Sequence, residues 1–238
     1  MSEKRDYLEC EKRWVYRTLI LVAGFYGGYA MLVRGGAFSN AQTGNIVLMA
    51  LELGRGNILS ALYYLIPIGA YVLGSLASEV LPKPLRRFHL LRWDTLLTLF
   101  EILMVIVMGF IPTSAPHQIC QVIINFLCAM QYNTFRSSEG VAMATTFCTN
   151  HVRQIGIFLA RLFDPGKAKV QQLQRLWLHV AMVLCFGAGV ALSVPACKFL
   201  EGKAIWLNLL PLLILFAELL HADLTKEKQL LEVKPQGH

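Results

Sequence analysis

The chain reads as an all-α polytopic membrane protein of about six transmembrane helices, in two inverted three-span repeats with broken first helices. Three observations predict this. Of 238 residues, 55% are hydrophobic and only 16% charged, with a mean hydropathy of +0.51; soluble domains average about 45–50% apolar and roughly 25% charged. Apolar runs recur at 18–33, 58–78, 95–111, 118–135, 176–197 and 204–220, and the charge-free run 58–78 supplies the ~20 residues a spanning helix needs. The order of events also repeats: a span, a polar break, a short helix and two plain spans, then all of it again.

Residues 1–17 mix Glu3, Asp6, Glu9 and Glu11 with five Lys and Arg, and no small-residue cleavage site follows. They read as a cytoplasmic segment leading into an uncleaved span. One transmembrane domain is expected over 18–221, with repeat 1 at about 18–112 and repeat 2 at about 118–221, followed by a cytoplasmic tail at 222–238.

The first break runs from Arg34 through Gly35, Gly36 and Phe38 to Asn45. Gly35 and Gly36 weaken the helix after Val33, and Ser39 or Asn40 is a suitable N-cap for a new helix over 41–53. Such a helix start presents free N–H groups and the positive dipole end to an anionic or carbonyl group. The second break carries Gln131, Asn133 and Arg136 before it and Thr145, Thr146, Thr149, Asn150, His151 and Arg153 after it. Non-helical backbone and charge at membrane depth are tolerated only in protein-lined or watery surroundings and mark functional sites.

Among the plain spans, Glu101 lies within the third, where a carboxylate is costly. Ala70, Gly74 and Ser78 form a small-residue face for close helix packing, as do Gly187 and Ala191, and Pro67 and Pro211 are expected to kink their helices. The six cysteines contain no Cys-x-x-Cys pair and read as packing residues, so neither metal nor cofactor is expected.

The net charge of +7 is a topology signal rather than a nucleic-acid surface. With six crossings and an inside N-terminus, 16 of the 22 Lys and Arg fall on the cytoplasmic side, as the positive-inside rule requires. Trp14, Trp93, Trp177 and Trp206 each stand near a span boundary, where amphipathic rings prefer to sit. A shift of 106 residues pairs Tyr26 with Tyr132, Thr43 with Thr149, Leu53 with Leu159 and Arg55 with Arg161, and sets Asn45 against His151. Three crossings per repeat is odd, so the second copy enters from the opposite side, a common plan among secondary transporters.

The candidate solute-binding residues are Arg34, Asn40, Gln42, Thr43, Asn45, Gln131, Asn133, Arg136, Thr149 and His151, with Glu101 or His151 as proton carriers. A buried guanidinium needs a counter-anion, so Arg34 and Arg136 bind either a substrate or an internal carboxylate such as Glu101 or Glu139. No hydrolase, zincin or phosphate-loop motif is present, and no enzymatic activity is expected.

The two breaks resemble the signatures of the YoaK-like family of bacterial multi-pass membrane proteins. The first matches through Gly35-Gly36-x-Phe38 and 41–45, the second through 130–136 and 144–149, and the likeness covers about 15–222. Many members carry Gly-Asn where this chain has Asn150-His151. The resemblance implies a bacterial inner-membrane location and about six spans, and it implies no established substrate. From the paired polar breaks and the inverted repeat, the expectation is a secondary transporter of a small polar, anionic solute working by alternating access in the inner membrane, both termini cytoplasmic. A homodimer is a plausible assembly. A channel, a lipid-handling flippase-like protein and a structural or signalling membrane protein are the alternatives.

Overall fold

The computed structural model describes residues 7–85, 91–164, 166, 168–231, 233 and 235. Helices dominate: α1 (Arg13–Val33), α2 (Gln42–Gly54), α3 (Ile58–Tyr63), α4 (Leu65–Val80), α5 (Pro82–Leu85), α6 (Trp93–Phe110), α7 (His117–Thr134), α8 (Thr149–Leu162), α9 (Lys169–Leu200) and α10 (Leu209–Leu224). The only sheet among the described residues is a hairpin of β1 (Ser137–Ser138) and β2 (Val141–Ala142), turned by Glu139 and Gly140 at positive φ. Two successive residues of that hand match the twist of a two-residue hairpin.

Four helical stretches are long and apolar enough to cross a membrane: Arg13–Val33, Ile58–Pro84, Trp93–Phe110 and Lys169–Leu224. The last spans 56 residues, too many for one crossing. It turns at Glu201 (φ 48°) through a 3-10 segment, Glu201–Asn208, so that α10 returns along α6. The sequence-predicted span at 118–135 becomes α7, an 18-residue helix outside those four because Gln121, Asn125, Gln131 and Asn133 lower its hydropathy.

Taking the end of the bundle where α1 begins as proximal, contacts fix the helix directions. Gly24 packs on the Phe186 carbonyl and Gly28 on Ser193, so α1 and α9 run parallel. Gly74 meets the Phe126 carbonyl while Ser78 bonds Asn133, so α4 and α7 also run parallel. Thr95 bonds Asp223 at one end and Trp206 bonds the Ile106 carbonyl at the other, so α6 and α10 are antiparallel. Tyr26 reaches Glu101 and Arg34 reaches Ile111, aligning α1 with α6. Hence α1, α6 and α9 point distally and α4, α7 and α10 proximally.

Helix α1 is apolar on nearly all sides and lies buried in the centre, as an all-round hydrophobic helix must. The outer faces of α4, α9 and α10 present Val72, Leu73, Leu76, Leu184, Leu192, Leu210 and Leu213, an apolar belt suited to lipid. The Ala70, Gly74 and Ser78 face is buried as expected. On α9 the close approach is made by Gly189, against the Leu21 carbonyl, whereas a side chain at Gly187 would meet nothing within 4 Å. Pro67 acts one turn early: it lacks the N–H that would bond Tyr63, and the helix is interrupted at Tyr64 between α3 and α4.

Candidate functional site

The polar breaks do not interrupt a crossing helix. Helix α1 runs unbroken for 21 residues, and the break after it folds back into the bundle. Gly35 and Gly36 make the reversal at φ 77° and 76°, a hand that costs glycine little. The Asn40 amide then donates to the Ala23 carbonyl (3.3 Å), ten residues before Val33, or ~15 Å back along the α1 axis. From that depth α2 runs out again to join α3. Its N-cap is Ala41, without a side-chain cap, so the expected capping by Ser39 or Asn40 is not made.

The second break enters from the proximal end. Its hairpin rests on Tyr16, whose hydroxyl donates to the Ser137 carbonyl (2.7 Å) and accepts from the Ser137 N–H (3.0 Å). The chain then climbs to Thr145 before α8 runs back proximally beside α9. At the top, the Gln131 amide donates to both the Thr145 carbonyl (3.2 Å) and the Leu19 carbonyl (3.4 Å).

The first tip thus bonds Ala23 directly, and the second is tied through Gln131 of α7 to Leu19, one turn and ~6 Å away on the same face of α1. Ser39 Oγ, Gln131 Oε1 and Thr145 Oγ1 at these tips are buried with no hydrogen-bond partner. Buried polar atoms are rarely left so, and each orphan points to a ligand, a water or a second conformation. Helices α2 and α8 both start from the tips, aiming two positive dipole ends into the middle of the bundle.

The predicted residues divide. Asn40 stands at the first tip, and Gln131, on α7, bonds the second. Asn45 clamps the first tip, accepting from the Phe38 N–H (3.0 Å) and donating to the Phe38 carbonyl (2.7 Å), and Gln42 donates to Asn125 (2.6 Å). His151, fully buried, holds the second tip through the Ala144 carbonyl (2.7 Å). Thr43 and Thr149 occupy matching exposed positions in the first turns of α2 and α8.

The two arginines stand at opposite ends, away from both tips. Arg34, fully buried at the distal end, donates to Tyr29 Oη (2.8 Å) and to the Pro112 and Ile111 carbonyls (3.0 and 2.7 Å). Its partner is therefore the negative C-terminal end of α6 rather than Glu101 or Glu139. Arg136, at the proximal end, pairs with Glu79 (2.5 Å) and bonds Asn133, which itself donates to Ser78 and Glu79. Glu101 is buried between α6 and α1 and accepts from the Tyr26 hydroxyl (2.9 Å).

Sequence reasoning missed His179, whose Nδ1 lies 2.9 Å from His151 Nδ1, and Ser39 as more than a cap. The signal for His179 was a lone titratable ring inside the apolar run 176–197. It also missed a lock at the proximal end, where Arg92 is buried against Asp94 and Asp223 while the Glu9 N–H donates to Glu227 (2.6 Å). Burial there holds the Glu227 carboxyl above its ordinary range.

The family described as "Protein of unknown function (DUF1275)" matches residues 15–217, which take in both re-entrant segments and every helix that carries them. The chain belongs to the DUF1275 family. No curated protein and no solved structure matches it. The DUF1275 match ends inside α10, before the Glu227 contact.

Proposed function

We propose that this DUF1275 protein is a secondary transporter of a small polar solute, preferentially anionic, held between the two re-entrant tips. On this reading the chain makes six crossings as two inverted three-span repeats in a bacterial inner membrane, both termini cytoplasmic, and has no enzymatic activity. Alternating helix directions support six crossings. Reciprocal packing supports the repeats: α1 of the first half lies along α9 of the second, and α7 of the second along α4 of the first. The carrying observation is that segments entering from opposite ends converge on one face of α1, the first through Asn40 on Ala23 and the second through Gln131, which ties Thr145 to Leu19 one turn away, with Ser39 Oγ, Gln131 Oε1 and Thr145 Oγ1 unpartnered. Discontinuous segments that aim helix N-termini at the middle of a membrane bundle are a recurring arrangement for anionic solutes. Asn40, Gln42, Asn45 and His151 shape the tips, Thr43 and Thr149 flank them, and Arg34 and Arg136 brace the two ends.

The test is a thermal-shift screen of small organic and inorganic anions on the purified, detergent-solubilised protein, followed by uptake into proteoliposomes. A bound ligand raises apparent stability by mass action. Saturable, gradient-coupled uptake of a stabilising anion supports the reading, and non-saturating flux would replace it with a channel. A shift only with phospholipid would replace it with lipid handling. The internal pairing of both arginines favours a purely structural protein as the second reading, and that protein would show neither shift nor uptake.

A further inference from the structure

Two imidazoles face each other where α8 meets α9. His151 and His179 are 0% and 1% exposed, and their Nδ1 atoms are 2.9 Å apart. The rest of the geometry fixes the protons. A carbonyl only accepts, so His151 Nε2 carries the hydrogen that bonds the Ala144 oxygen at 2.7 Å. The neutral His151 ring then offers a lone pair at Nδ1, and the hydrogen between the rings belongs to His179 Nδ1. That leaves His179 Nε2 as a bare lone pair, buried and without a partner. The Phe158 ring stacks on His179, 5.6 Å between centroids at 12°, and holds it flat.

We infer that His151 and His179 form a two-ring proton site that reports the protonation of α9 to the second re-entrant tip. The solute-coupling role of this site rests on the transport reading, whereas the site itself rests on the hydrogen-bond chain alone. A proton delivered from hydronium adds to the free Nε2 of His179, forms an N–H bond there and leaves a water molecule behind. The Nδ1–H bond of His179 then breaks as one forms at His151 Nδ1, and the positive charge passes to His151 without a heavy atom moving. The charged His151 ring keeps its Nε2–H on the Ala144 carbonyl, so that bond becomes charge-assisted and the tip is held more tightly. A second proton would place two N–H groups nose to nose at 2.9 Å and break the link. The charged groups on these elements are Arg153 and Arg161 on α8, Lys169, Arg175 and Lys198 on α9, and Arg13 and Arg17 on α1. Arg13 is paired with Glu139, Arg153 bonds Asn150 and Arg161 lies over Phe158. This cationic surround opposes both protons, and the first, once bound, adds its own charge and the 2.9 Å N–H clash against the second, which limits the pair to one.

The test is nitrogen NMR on histidine-labelled, detergent-solubilised protein from pH 5 to 8, with no solute required. Wild type should show a through-hydrogen-bond coupling between two Nδ1 atoms and a joint uptake of one proton. His179→Gln should remove both and leave His151 with a separate titration. Two wild-type rings that titrate independently, or the absence of any Nδ1–Nδ1 coupling, would overturn the site. An intact coupling in a protein that transports no anion would preserve the site and sink only the transport reading.

Discussion

The orphaned hydroxyls at the tips allow a substitution whose effects on folding and on binding carry opposite signs. Ser39 Oγ and Thr145 Oγ1 are buried and bond nothing in the fold. A buried unsatisfied polar group costs about 1–3 kcal/mol. Replacing Ser39 by Ala and Thr145 by Val removes two such costs while keeping the side-chain shapes close. Taking the lower bound for each, the double variant gains about 2 kcal/mol without ligand, or roughly 4–8 °C at 2–4 °C per kcal/mol for a chain of this size. An anion held at the tips would lose two donors. A hydrogen bond to a charged group contributes ~1.5–3 kcal/mol, so each loss weakens binding on the order of 10- to 100-fold. The assay is a thermal melt of wild type and variant in one detergent, with and without the stabilising anion. The expected result is a higher Tm without ligand and a smaller or absent ligand shift. A full ligand shift in the double variant would refute the tip site. A loss of more than about 1 kcal/mol without ligand would show that these hydroxyls already have partners in the fold.

Three further outcomes follow from packing and charge. A Cβ at Gly189 would lie 2.0 Å from the Leu21 carbonyl, backbone that cannot step aside, so Gly189→Ala should cost about 1–3 kcal/mol, whereas Gly187→Ala should stay within about 0.5; equal melting points would contradict the α1–α9 contact. Arg34→Gln should lower stability by about 3 kcal/mol or more through loss of the α6 cap, with the anion Kd unchanged, and an Arg34→Gln protein that melts like wild type but no longer binds would return this arginine to the solute site. Glu227 binds its proton more readily folded than unfolded, so its stabilising contribution is present below the ordinary carboxylate range and fades as pH rises through the raised value. Glu227→Gln should therefore flatten the Tm-versus-pH curve in that window, and an unchanged slope would remove Glu227 from the account.

The spans were legible because lipid and core both select for apolar residues, so length and hydropathy alone mark out α1, α4, α6 and α9. The breaks were legible too, since Gly35 and Gly36 weaken the helix after Val33 and the polar residues around Arg136 interrupt an apolar chain, although Glu139 at φ 47° gave no such signal. What the sequence could not supply was direction after the turn. Gly35 and Gly36 serve equally for a pause within a crossing and for a reversal into the bundle. The difference is decided by Asn40 on Ala23, seventeen positions away in the chain. The same limit explains α9, where Gly187 and Gly189 look alike in sequence but only Gly189 faces Leu21.

The arginines show why charge is harder to read than apolarity. A guanidinium in a hydrophobic chain demands acceptors, and from sequence alone carboxylates and solutes are the visible ones. Backbone carbonyls at a helix end are invisible there, because every residue carries one and only the fold says which are unpaired. Arg34 takes the Ile111 and Pro112 carbonyls where α6 stops. The neutral atoms Ser39 Oγ, Gln131 Oε1, Thr145 Oγ1 and Thr146 Oγ1, together with the starts of α2 and α8, are then the polar demand around the two tips. In the proposed solute site, these helix dipoles and hydroxyls would attract an anion without a fixed positive charge of their own. On the transport reading proposed above, such a site would release its solute without leaving a buried guanidinium unpaired, as alternating access would require at each turnover.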